Sequence, residues 1–169
     1  MFPLGHLGIG TRILPARIRD RLPWAWFALG CLLPDLLDKP VFLAARIARH
    51  LGPEHLDALR GSRLLGHSLF LLALLTVAAL WLRSKPLVAV SWGVGTHLLL
   101  DLLPDLFSGS RIQWPTWLLW PIFGVGFPFD HPRTVVRGLD FEGIVYRAGE
   151  LVGASLLVLE YARRRRARA

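Results

Sequence analysis

Cysteine occurs once in the 169 residues, as Cys31. That excludes a disulfide framework and any cysteine-based zinc cluster, so a metal site here must be built from histidine and carboxylate. Charge is also scarce: 19% of residues are charged against 53% hydrophobic. A soluble domain of this length has to cover its surface with polar groups, and this chain lacks the means. Nucleotide loops are absent, because neither GxGxxG nor GxxxxGK[ST] occurs and "GIG" and "GVG" suit close helix packing instead. No GxSxG elbow is present, and Ser68 beside His67 is not by itself a hydrolytic dyad. The opening "MFPLGHLGIGTR" lacks the charged-then-apolar order of a cleavable signal, so no cleavage is expected. No low-complexity linker divides the chain, which is read as one integral membrane domain over residues 1–169 with a basic tail at 163–169.

What the chain has is basic and apolar. The net charge of +8 comes largely from Arg12 to Arg21 and from Arg163 to Arg168. Basic runs that abut hydrophobic segments anchor them at an anionic cytoplasmic membrane face, so the expected partners are membrane lipids and not nucleic acid. Residues 64–82, the turn "RSKP" and the apolar stretch from Leu87 to about Leu103 read as a transmembrane hairpin. Residues 24–47 are long enough to span, but Pro34, Asp35, Asp38, Lys39 and Pro40 predict a broken helix lining a cavity. Residues 144–161 form a marginal last span, and 114–129, rich in Trp, Pro and Gly, an interfacial or re-entrant segment. The expected fold is an all-α integral membrane helical bundle. It would be multi-pass in the cell's inner membrane, with the arginine tail and the 83–85 turn cytoplasmic and the 48–63 and 130–143 connections opposite.

The helical rise of about 1.5 Å per residue brings Asp35, Asp38, His67, His97 and Asp101 to one depth, from three separate segments. Ionisable groups in hydrocarbon cost at least about 2.5 kcal/mol each unless they share partners. His97 and Asp101, four apart, share a helix face, as do Asp35 and Asp38, three apart. Imidazole and carboxylate without thiolate suit zinc, with manganese or iron as alternatives, at a site open to water. Asp105, after Pro104, reads as a turn or cap residue. His6, in "GHLGIG", is a further candidate ligand, although Arg12 to Arg21 would keep its neighbourhood on the cytoplasmic side. Arg63, four before His67, is a candidate clamp for an anionic substrate, against the alternative of a snorkelling interfacial arginine. His131, beside Asp130, is a candidate substrate contact, while His50 and His55 look ordinary.

Taken in order, "GHLGIG", "GCLLPDLLD", "SRLLGHSL" and "GVGTHLLLDLL" resemble the membrane-bound metal-dependent hydrolase family, over roughly residues 4–125. The resemblance implies a multi-helix membrane protein with a hydrolytic His/Asp metal site. Carried over motif by motif, its ligands are His6, Asp35, Asp38, His67, His97 and Asp101. The family pattern "HRGxTHS" is altered, with Ser62 at its first His and Gly66 at its Thr, so one polar group is missing.

These readings combine into a membrane-embedded metal-dependent hydrolase acting on an amphiphilic ester or phosphoester, with Asp38 or Asp101 as general base. A small ion- or proton-coupled transporter and a non-catalytic scaffold recruiting partners through the arginine tail are the alternatives.

Overall fold

The computed structural model describes residues 3–51, 63–107, 117–122 and 141–166. Within them the chain is helical, without strands: α1 (Pro3–Ile13), α2 (Ala16–Arg19), α3 (Trp24–Leu51), a 3₁₀ turn (Leu65–His67), α4 (Leu69–Trp81), α5 (Lys85–Phe107) and α6 (Phe141–Arg166).

Alpha-helix α5 is the hub, packing on α1, α3 and α4, while α1 lies between α3, α5 and α6. Two glycine contacts set how closely these helices approach. A Cβ added to Gly30 of α3 would stand 2.3 Å from the Val90 carbonyl oxygen, and one on Gly93 of α5 would stand 2.4 Å from that of Phe27. Likewise, a Cβ on Gly8 of α1 would meet the Gly153 carbonyl oxygen of α6 at 2.1 Å. Backbone touches backbone at both places, the packing that small residues permit where lipid offers no hydrophobic drive between helices. Around the first contact the core closes with Phe27, Cys31 and Ala89, and further along α5 with Val90, Val94, Leu98 and Trp117.

The outer faces are apolar. Leu74, Val77, Leu80 and Trp81 of α4 and Leu151, Val152, Val158 and Leu159 of α6 are exposed, and large apolar side chains grouped on a surface mark a face that meets lipid or a partner. Among the described residues one helix, over Lys85–Pro104, is long and apolar enough to cross a membrane.

The break expected in the first long segment does not occur: α3 runs unbroken for 28 residues with Pro34 and Pro40 inside it. A proline ring crowds the carbonyl four residues back. For Pro34 that residue is Gly30, and α3 stays continuous through it while packed on α5, α1 and the 3₁₀ turn. Between the two prolines the turn is held by the Asp35–Lys39 ion pair at helical spacing. Helices α4 and α5 form a helical hairpin, but its first arm starts at Leu69 and not at 64, leaving 13 residues. At about 1.5 Å per residue this arm falls short of a roughly 30 Å hydrocarbon core. Residues 65–67 are instead drawn into the 3₁₀ turn by contacts to α3. Of the segment expected to be interfacial, residues 117–122 form turns, with Trp117 buried and Ile122 exposed. The Leu118 carbonyl accepts a hydrogen bond from the Leu69 amide at the start of α4. Residues 114–116 and 123–129, the 130–140 loop, 52–62 and 167–169 lie outside the described residues.

Candidate metal centre

One turn of α5 supplies His97 and Asp101, both buried. The ring of His97 is fixed from behind, with Nδ1 2.7 Å from the Cys31 carbonyl oxygen of α3. A carbonyl can only accept, so Nδ1 carries the proton and Nε2 presents a lone pair to the interior.

His67 is fixed differently. Asp38 of α3 accepts hydrogen bonds from the amides of Leu64 (2.7 Å), Gly66 (2.8 Å) and His67 (3.1 Å), folding the 3₁₀ turn around its carboxylate. The same carboxylate meets His67 Nδ1 at 2.7 Å, so the Nε2 of this ring also faces inward. Gly66 is forced by the arrangement: a Cβ there would lie 2.6 Å from the Pro34 carbonyl oxygen and 2.8 Å from Asp38 Oδ1. The departure from the resembled motif at this position is therefore steric, because no threonine fits. Ser68 is a helix cap, accepting from the Leu71 amide and donating to the Leu65 carbonyl.

The inward atoms converge. His67 Nε2 is 3.2 Å from His97 Nε2, 3.4 Å from Asp101 Oδ2 and 3.6 Å from Asp35 Oδ1. His97 Nε2 is 3.7 Å from Asp101 Oδ2. His6 joins them, its Nε2 3.3 Å from Asp101 Oδ1 and its ring stacked on that of His97 with centroids 3.7 Å apart. Among the described residues, two overlapping sets have ligand atoms within 4.8 Å of one another: His67, His97 and Asp101, and His6, Asp35 and His97.

Charge alone places His6 away at the cytoplasmic edge, and the structure corrects this. Alpha-helix α1 folds in between α3, α5 and α6. Arg12 donates to the carbonyls of Gly8 and Leu156, so that part of the basic run is tied into the fold. Asp38 stands behind the cluster and not at its centre, with its oxygens spent on the 3₁₀ turn and on His67. Arg63 does not snorkel. It is buried, with Nε 3.5 Å from Asp101 Oδ2, a hydrogen bond to Tyr146 Oη (3.2 Å) and the guanidinium 4.6 Å from the centre of the Trp117 ring. His131 and His55 lie outside the described residues. Sequence reasoning passes over Lys39 as a participant, although its spacing of four from Asp35 is an available signal; its Nζ pairs with Asp35 Oδ2. Trp117, Tyr146 and the Cys31 carbonyl carry no such signal.

Helices with apolar outer faces around an enclosed knot of histidine and aspartate define an all-α protein with an interior polar site. The particular family comes from the sequence: residues 1–166 match the profile of the YdjM inner membrane protein family, and the chain belongs to that family. Membrane association, read from composition, agrees with it. Comparison with curated proteins and with solved structures returns no match.

Proposed function

We propose that the cluster holds one divalent cation, zinc by its donor chemistry, and that the protein is a multi-pass membrane hydrolase of amphiphilic esters or phosphoesters. The observation that carries this is the 3.2 Å approach of two imidazole Nε2 atoms, each with its Nδ1 already committed to an acceptor. Two lone pairs facing each other repel unless a shared proton or cation lies between them. Ligand atoms on one tetrahedral zinc, at about 2.0–2.1 Å from it, are about 3.3–3.4 Å apart. The spacings among His67, His97 and Asp101, 3.2 to 3.7 Å, fit that figure.

The count is one. Both candidate sets require His97, whose Nδ1 is taken by the Cys31 carbonyl, and a single nitrogen lone pair cannot serve two ions. His67, His97 and Asp101 would hold the cation, with His6 and Asp35 beside them. When bound, the ion supplies Lewis acidity toward water and toward an ester or phosphoryl oxygen. Asp38 orients His67 and fixes its tautomer, and so does not serve as base. Asp35 Oδ1, 3.6 Å from His67 Nε2, would be the proton acceptor. The arginine tail and the 83–85 turn would face the cytoplasm. The transport reading leans on a broken helix, which α3 is not.

The test is metal analysis of protein purified in detergent, with His97→Ala and Asp101→Ala alongside. Near-stoichiometric metal in the wild type and its loss in both variants is the expected result; undiminished metal in both removes the proposal. Hydrolysis of phosphoester and carboxylic ester probes by the loaded protein then tests the reaction class.

A further inference from the structure

A second group of charged side chains lies away from the histidine cluster. Where the end of α1, the short α2, the start of α3 and the later part of α6 meet, a cavity of about 270 Å³ is lined by Thr11, Arg12, Arg19, Asp20, Trp24 and Glu160. None of these belongs to the metal cluster. The side chains of Asp20, Glu160 and Arg19 are 68%, 37% and 36% exposed, so the cavity is reached from outside.

One arginine there is structural and the other has donors to give. Arg12 donates to the Gly8 and Leu156 carbonyls and stands 3.7 Å from Glu160, which fixes it as part of the cavity wall. Arg19 Nε meets Asp20 Oδ1 at 3.2 Å. Among the described residues this is the one contact of either side chain, and it leaves the two Nη groups of Arg19 and Oδ2 of Asp20 to a ligand.

The charges on the wall, two of each sign, cancel. A simple anion would face Asp20 and Glu160, and a simple cation Arg12 and Arg19, so the complement is a molecule that carries both signs close together. Donor chemistry narrows it. Paired guanidinium nitrogens suit the oxygens of a phosphate, and a carboxylate, which only accepts, needs a cation that bears N–H. The indole of Trp24, a half-exposed residue, adds an aromatic wall of the kind that attracts an ammonium.

The surroundings point to a lipid as the source. Arg17, Ile18 and Arg21 flank the pair and are exposed, as are Ile13 and Trp26, the mixture of arginine, tryptophan and apolar side chains that sits at a membrane boundary. A volume of about 270 Å³ is below the roughly 300–1,000 Å³ of sites that enclose a whole drug-sized ligand. It houses a headgroup and leaves acyl chains outside, against the apolar faces of the helices.

We infer that this cavity binds the headgroup of a net-neutral phospholipid of the phosphoethanolamine type, with its phosphate on Arg19 and its ammonium beside Asp20 and Trp24. The inference is independent of the metal reading.

The test uses the full chain in an uncharged detergent, freed of lipid and titrated calorimetrically with short-chain lipids that share dihexanoyl tails. The ethanolamine lipid is expected to bind more tightly than the choline lipid, whose cation has no N–H, and than the glycerol lipid, which has no cation. Glycerophosphoethanolamine, without tails, should bind more weakly than the lipid. Arg19→Gln should weaken the ethanolamine lipid about tenfold, as the loss of a charge-assisted hydrogen bond does. Asp20→Asn should erase the preference for ethanolamine over glycerol. Melting temperatures of both variants, changed at accessible side chains, should stay at the wild-type value. A wild type that takes the three lipids equally, or the glycerol lipid best, overturns the inference before any variant is made. So does a preference that survives Asp20→Asn, or a tail-free headgroup that binds as tightly as the lipid, which would make the ligand a soluble phosphodiester.

Discussion

Asp38 Oδ2 and His67 Nδ1 lie 2.7 Å apart, and the same carboxylate gathers three backbone amides of the turn that carries the histidine. One side chain thus both folds a loop and aims a ring. The two roles separate by substitution. Asp38→Ala leaves buried amides without acceptors, at about 1–3 kcal/mol each, and is expected to destabilise the protein by several kcal/mol. Asp38→Asn keeps one acceptor oxygen and the shape but no longer anchors His67 as a carboxylate. It should retain the fold and lose about 10- to 100-fold in metal affinity. Zinc titration of the two variants, paired with thermal melts in detergent, checks this. A folded Asp38→Asn protein with wild-type affinity would contradict the positioning role.

Removing the metal should cost stability. A ligand that binds only the folded state at 100 times its dissociation constant contributes about 2.7 kcal/mol. Chelation is therefore expected to lower the melting temperature of the wild type, with recovery on adding zinc back. His97→Ala should melt at the same temperature with and without chelator. A wild type indifferent to both additions would show that the histidines are held together by something other than a cation.

How much of this is legible in the sequence depends on whether the governing contact is local. The shared face of His97 and Asp101 comes from helical period alone, and so does the expectation of a polar layer. The start of α4 is hidden because Leu64 and Leu65 are as apolar as the helix after them. The turn there is imposed by Asp38, 26 positions before Leu64, acting on backbone amides that leave no mark in the side-chain sequence. Pro34 and Pro40 read as a break because that rule considers one helix by itself, whereas α3 is packed on α5, α1 and the 3₁₀ turn. His6 is legible through the resembled motif and not through the charge rule, which treats arginines as solvated, while Arg12 spends its guanidinium on helix carbonyls.

The close approach of α3 and α5 gives a prediction with an internal control. Gly30→Ala puts a methyl group 2.3 Å from the Val90 carbonyl oxygen, and neither backbone can yield without opening the pair. Overpacking of this kind typically costs about 1–3 kcal/mol. Gly95→Ala, also on α5, meets only Leu72 Cδ2, at 3.9 Å, and should be neutral or stabilising, since alanine is favoured over glycine in a helix by about 1 kcal/mol. Denaturation of the two variants in one detergent should separate them; equal stabilities would mean that the helices do not touch as described.

Glu150 of α6 accepts hydrogen bonds from the amides of Leu4 (3.1 Å) and Gly5 (2.8 Å), the first turn of α1. Those amides have no partners within their own helix, and a carboxylate placed there also meets the positive end of the helix dipole. His6 is the next residue along. Its stacking on His97 therefore depends on a contact made by a helix 145 positions away in sequence. Glu150→Ala is expected to cost about 1–2 kcal/mol of stability, as loss of a helix cap does. It should also loosen the His6 side of the cluster, weakening metal binding less than His97→Ala does. Glu150→Gln, which keeps one acceptor oxygen, should fall between. Cobalt substitution gives the discriminating readout: if His6 helps to hold the ion, the visible spectrum of the Glu150→Ala protein shifts toward that of His6→Ala. If it does not, the spectrum stays that of the wild type while the melting temperature falls, and α6 then only clasps α1.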